Sequence, residues 1–85
     1  MKEFTYVIKD EIGIHARPAG MLAKLAKTFE SKITLTANGK TVDAGKLMAV
    51  MGLGAKNGTE VVLTAEGADE DAAIAKLEEF MNNNL

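Results

Sequence analysis

Along Phe4-Thr5-Tyr6-Val7-Ile8 the chain is rich in β-forming residues, the pattern of a first strand. A polar break at Asp10-Glu11-Ile12-Gly13 follows, and then the period lengthens. Ala19, Leu22, Ala26 and Phe29 recur at spacings of three and four, which predicts a helix from about Ala16 to Phe29. Ile33–Ala37 and Lys40–Asp43 flank Asn38-Gly39, a pair suited to the positive φ that a tight hairpin turn requires. Lys46 to about Leu53 reads as a short apolar helix bracketed by Gly45, Gly52 and Gly54. Glu60–Glu66 carries an apolar stretch that suits a central strand. Asp69 is the expected cap of the last helix, with Ile74, Leu77 and Met81 as its buried stripe and Ala73 and Phe80 alongside. Asn82–Leu85 is expected to fray.

The element order is therefore β-α-β-β-α-β-α. A helical crossover makes the first two strands parallel, the hairpin reverses the third, and the fourth fits between the first and second, antiparallel to both. The strand order becomes 1-4-2-3 in an α+β open-faced sandwich. Three helices cover one face, and the alternating threonines of the second strand suit the face left to solvent.

Eighty-five residues suffice for a single domain spanning 1–85, and the composition, 47% hydrophobic and 26% charged, is that of an ordinary globule. No apolar run approaches the roughly 18–20 residues a membrane crossing needs, so no direct membrane insertion is expected. The first residues lack the apolar core of a signal peptide, and the cytoplasm is the expected location. Without cysteine and with one histidine, neither disulfides nor the usual zinc arrangements can form, and no metal or cofactor is expected. A net charge of −2 argues against nucleic acid as a general partner. The charge is unevenly placed, with Glu66, Asp69, Glu70, Asp71, Glu78 and Glu79 late in the chain and Arg17, Lys24, Lys27, Lys46 and Lys56 around the histidine. Such a bipolar molecule can steer an acidic partner, or a phosphate, to one side.

The only histidine and the only proline, His15 and Pro18, fall at the predicted junction of strand and helix. Proline just inside a helix start is tolerated because the N–H it lacks would be unpaired there. The pair places an imidazole where free N–H groups and the helix dipole favour an anion, and Arg17 adds a guanidinium whose fork fits phosphate. This suggests a histidine that accepts a phosphoryl group. Arg17, Gly20, Met21, Lys24 and Lys27 share one stripe leading away from it. On the short helix, Ala49, Val50 and Leu53 already supply an apolar face, which leaves Leu47, Met48 and Met51 as candidates for exposure. Gly52-Leu53-Gly54 lacks the Lys-Ser ending of a P-loop and is discarded as a nucleotide site.

The stretch Gly13-Ile14-His15-Ala16-Arg17-Pro18-Ala19 resembles the active-site signature of the HPr family, the histidine-containing phosphocarriers of the bacterial phosphoenolpyruvate:sugar phosphotransferase system. Asn38-Gly39-Lys40, Lys46–Gly54 and Glu66–Glu70 are similar to its later segments in order and spacing. The resemblance spans essentially the whole chain. It implies a monomeric carrier rather than an enzyme, with no cofactor. Enzyme I would deliver a phosphoryl group to Nδ1 of His15, and His15 would pass it to EIIA domains of sugar permeases. Ala16, Arg17 and Pro18 would surround the phosphate. Gly20, Met21, Lys24, Lys27, Lys46, Leu47, Met48 and Met51 would form one docking surface for both partners.

Many Gram-positive members carry a regulatory serine where this chain has Lys46, which cannot accept that phosphoryl group. The resemblance therefore does not extend to control by HPr kinase/phosphorylase. A carrier-like regulatory binding module would keep the fold and the docking patch but leave His15 and Arg17 unused. A nitrogen-related phosphotransfer branch would share the mechanism with other partners. A ferredoxin-like ligand-binding domain would leave the His-Ala-Arg-Pro segment unexplained.

Overall fold

The computed structural model describes residues 1–85. Strand β1 (Lys2–Val7) leads to helix α1 (Ala16–Ala26), the hairpin β2 (Lys32–Ala37) and β3 (Lys40–Asp43), helix α2 (Leu47–Gly52), strand β4 (Glu60–Glu66) and helix α3 (Glu70–Asn84). The sheet order is β1-β4-β2-β3, and every pairing is antiparallel. The expected α+β open-faced architecture, with strand order 1-4-2-3 and three helices, is the one observed.

Alternation decides which face is buried. Ile33, Leu35 and Ala37 of β2 join Val61, Leu63 and Ala65 of β4 in the core, while Thr34, Thr36, Val62 and Thr64 lie half-buried on the other face. There the hydroxyls of Thr34 and Thr64 pair across the strands, and those of Thr36 and Thr41 meet at 2.8 Å. Leu22 of α1, Val50 of α2 and Ala73, Leu77 and Met81 of α3 close the core from the helical side. Burying an aliphatic side chain of that size contributes about 1.5–3 kcal/mol. At the hairpin Asn38 takes φ 51° and Gly39 φ 79°, the left-handed pair that a two-residue turn of this hand demands.

Four local expectations are corrected. Helix α1 stops at Ala26 rather than Phe29, because Thr28 closes a tight turn through its N–H and hydroxyl, both donating to the Leu25 carbonyl. Ile74 is only half-buried, whereas Ala73, Leu77 and Met81 are fully enclosed. Asp69 occupies the N-cap position of α3 but does not cap with its side chain. Its carboxylate instead accepts from the backbone N–H of Glu30 (2.9 Å) and Ser31 (2.8 Å) and from the Ser31 hydroxyl, pinning the α1–β2 connection to the start of α3.

The last correction concerns the end of the chain. Asn82–Leu85 does not fray: α3 continues to Asn84, and the Asn82 and Asn84 side-chain amides donate to the Glu78 and Phe80 carbonyls. Leu85 is buried, and its carbonyl accepts the N–H groups of Lys9 (2.6 Å) and Asp10 (2.8 Å). The end of α3 is thereby fastened to the segment that leaves β1.

The hydrogen bonds from Ser31 and Glu30 hold the Asp69 carboxyl below its ordinary value of 3.8. A depressed folded-state value contributes stability above the unfolded value and loses it as pH falls through the folded one. Asp69→Ala is therefore expected to lower the melting temperature at pH 7. The gap from the parent protein should close below about pH 3.8, as followed by thermal melts across pH. A gap that stays constant with pH would contradict the role of the charged carboxylate.

Candidate functional site

The loop before α1 is shaped by Asp10 and Gly13. The Asp10 Oδ1 atom accepts the N–H groups of Ile12 (2.8 Å) and Gly13 (3.2 Å), an aspartate turn built from its own chain neighbours. Gly13 then takes φ 87°, and a Cβ at that position would collide with the Ala55 carbonyl oxygen. Only glycine permits both the backbone angle and the approach. The next N–H, that of Ile14, donates to the same carbonyl at 2.8 Å, and the Ile14 side chain is buried. The loop is thus clamped to the Ala55–Lys56 segment immediately before the histidine.

His15 is the N-cap residue of α1, in extended conformation with φ −109° and ψ −174°, and its side chain does not cap the helix. The half-exposed imidazole stands at the helix mouth, uncommitted to capping. Its carbonyl accepts the Ala19 N–H at 2.9 Å, and Pro18 has no N–H. The free donors of the first turn are therefore the N–H groups of Ala16 and Arg17, which bond to no backbone carbonyl. The exposed Arg17 forms no ion pair within the chain. Asp10, His15, Arg17, Pro18, Met21 and Asn84 line one cleft of about 250 Å³. No group of three or more metal-ligating side chains exists. The chemistry offered is that of an anion site beside a nucleophile: two amides, one guanidinium and an imidazole.

Of the residues expected around the phosphate, His15, Arg17 and Pro18 line this cleft and Ala16 presents its N–H at the same helix mouth. Pro18 is buried and contributes wall rather than a donor. Lys24, Lys27 and Lys46 are exposed, as is Met21 at 43%. Around α2 the expected division holds except at Ala49, which is only half-buried. Val50 and Leu53 are buried, while Leu47 (39%), Met48 (76%) and Met51 (36%) remain open to solvent. Lys46 is the N-cap of α2, and Lys27 packs along Gly45 beside it, which brings two cations to the edge of this apolar surface. At Gly20 an added Cβ would meet nothing within 4 Å, so nothing inside the chain requires glycine there.

Two residues line the cleft that the sequence pattern does not assign to it, Asp10 and Asn84. Asp10 reads locally as part of a polar loop, and an aspartate shortly before a glycine is the turn signal that could have found it. Asn84 had no local signal, since it reaches the cleft only because the last turn of α3 docks beside β1.

Comparison with known proteins places this geometry among relatives. A family model described as "PTS HPr component phosphorylation site" matches residues 2–83. The chain is similar to phosphocarrier protein HPr of Mycoplasma capricolum, 43% identical over 81 residues that cover 95% of this chain and 91% of that protein. Its fold matches the crystal structure of HPr-C-His from Thermoanaerobacter tengcongensis at a TM-score of 0.92, with 41% identity over 98% of this chain and 93% of that one. It also matches phosphocarrier protein HPr from Bacillus anthracis at 0.87, with 29% identity over 94% of this chain and 95% of that one.

The Gly13 clamp yields a direct test. Gly13→Ala must push the loop off Ala55 while holding a backbone angle that alanine disfavours, at a cost of about 1–3 kcal/mol. Denaturant melts should show that loss. The amide signals of Ile14, His15 and Lys56 should move while those of β2 and β3 stay in place. Unchanged stability and unchanged Ile14 and His15 signals would contradict the clamp.

Proposed function

The chain belongs to the HPr family of phosphocarrier proteins of the phosphotransferase system, and on that premise we propose that His15 is the residue that carries the phosphoryl group. The observation that supports this most is the single cleft in which an uncapped imidazole, an unpaired guanidinium and two free helix N–H groups converge. In the proposed cycle a ring nitrogen of His15 attacks the phosphorus held by phosphorylated enzyme I. The bond to phosphorus forms as the donor's bond breaks, and the electron pair of the broken bond stays with the donor. The N–H groups of Ala16 and Arg17 and the Arg17 side chain receive the phosphate oxygens. The reverse exchange, with an EIIA domain as acceptor, discharges the carrier in the cytoplasm. Positioning and charge stabilisation carry such a transfer, with no cofactor.

The exposed face of Met21, Leu47, Met48 and Met51, edged by Lys24, Lys27 and Lys46, is the proposed docking surface for both partners. Methionine side chains adapt to more than one opposing surface, and the cations favour acidic partners. Lys46 puts a permanent positive charge at the approach to α2 and offers no hydroxyl for phosphorylation there.

Two measurements bear on these roles. His15→Ala removes a half-exposed side chain that does not cap its helix, so it should fold within about 1 kcal/mol of the parent and carry no acid-labile phosphate after incubation with phosphoenolpyruvate and enzyme I. Labelling that persists in the folded variant would sink the assignment. Met48→Glu should weaken calorimetric binding to enzyme I and to an EIIA domain alike, by about tenfold or more. Affinity lost for one partner only would show that the two do not share this face.

A further inference from the structure

The cleft holds a charge of the wrong sign for a phosphate site. Asp10 lines it together with His15 and Arg17. Its Oδ1 atom is committed to the N–H groups of Ile12 and Gly13, its second oxygen makes no hydrogen bond, and no cation pairs with it. The residue is half-buried, and its own N–H is fixed by the Leu85 carbonyl, so the carboxylate cannot swing away with a flexible loop. The turn itself does not require a charge, since an asparagine side chain forms the same turn. What a carboxylate adds over an amide is its negative charge beside the phosphate position.

Resting on the reading of His15 as the phosphoryl carrier, we propose that Asp10 sets how firmly the cleft retains the phosphoryl group, opposing Arg17. When the phosphoryl group arrives, the bond from the His15 ring nitrogen to phosphorus forms as the donor's bond breaks, and two negative charges are brought toward the Asp10 carboxylate. Arg17 lowers the free energy of that state and Asp10 raises it. The balance keeps the phosphorylated form an effective donor. A cleft with attraction alone would load readily and discharge poorly. Half-burial lessens the screening that solvent and salt would otherwise impose on this repulsion.

Asp10→Asn and Asp10→Ser separate charge from turn, because both keep an acceptor for Ile12 and Gly13 and both remove the charge. The readout is the equilibrium ratio of phosphorylated to free protein, taken with enzyme I at a fixed ratio of phosphoenolpyruvate to pyruvate. Removing one charge from the lining of the cleft that holds His15 and Arg17 should raise that ratio by about three- to tenfold in both variants. Discharge to an EIIA domain should favour the acceptor less, by the same factor. A ratio unchanged within twofold, or lowered, would overturn the proposal. So would a rise confined to the serine variant together with shifted Ile12 and Gly13 amide signals, which would trace the effect to the turn. Absence of acid-labile phosphate from the parent and both variants would remove this proposal and the assignment of His15 together, whereas a labelled parent with an unmoved ratio would remove this one alone.

Discussion

Where Gly13 lies against the carbonyl of Ala55 there is no room for a side chain, and the direction of the chain through the site follows from that contact. The backbone is turned by the left-handed angle at Gly13, the next N–H is spent on the Ala55 carbonyl, and the buried Ile14 fixes the third point. His15 therefore enters α1 from an extended conformation, with its ring outside the helix and its carbonyl inside the first turn. A looser entry would let the imidazole fold back as a cap and take up one of the N–H groups that an anion needs.

The core and the site rest on different physics. Leu22, Leu35, Leu63, Leu77 and Met81 are wholly buried, and the stability of the domain comes from removing such surfaces from water. At the candidate site Arg17 is exposed and His15 half-exposed, with no side-chain cap bond from His15 and no ion pair from Arg17. The link between the two is backbone: Asp10, Gly13 and Ile14 carry the rigidity of the sheet into the loop that presents the candidate site.

This division explains which parts could be seen in the sequence. The strands, the Asn38-Gly39 hairpin and the faces of α1 and α2 follow from spacing within a dozen residues, and the cleft's His15, Arg17 and Pro18 from their order within four. The roles of Asp69 and Leu85 could not be seen that way. Asp69 has the identity of a helix cap, but its carboxylate is claimed by Glu30 and Ser31, which are nearly forty positions away in the chain and near only in the fold. The tail Asn82–Leu85 looks loose by composition, yet it is ordered by carbonyls one turn back and by two N–H groups at the far end of β1. Local propensity had competing answers at these points, and tertiary contacts chose between them.

The two bonds that the Lys9 and Asp10 amides donate to the Leu85 carbonyl also have a dynamic consequence. Opening the last turn of α3 must release those two amides, so the loop entering the site and the end of the last helix open as one cooperative unit. In hydrogen exchange, Lys9 and Asp10 should therefore keep pace with the final turn of α3 rather than with their exposed neighbour Glu11. An anion held at the helix mouth would slow exchange at Asn84 and Leu85 as well, and its occupancy could be read from amides at the opposite end of the sequence.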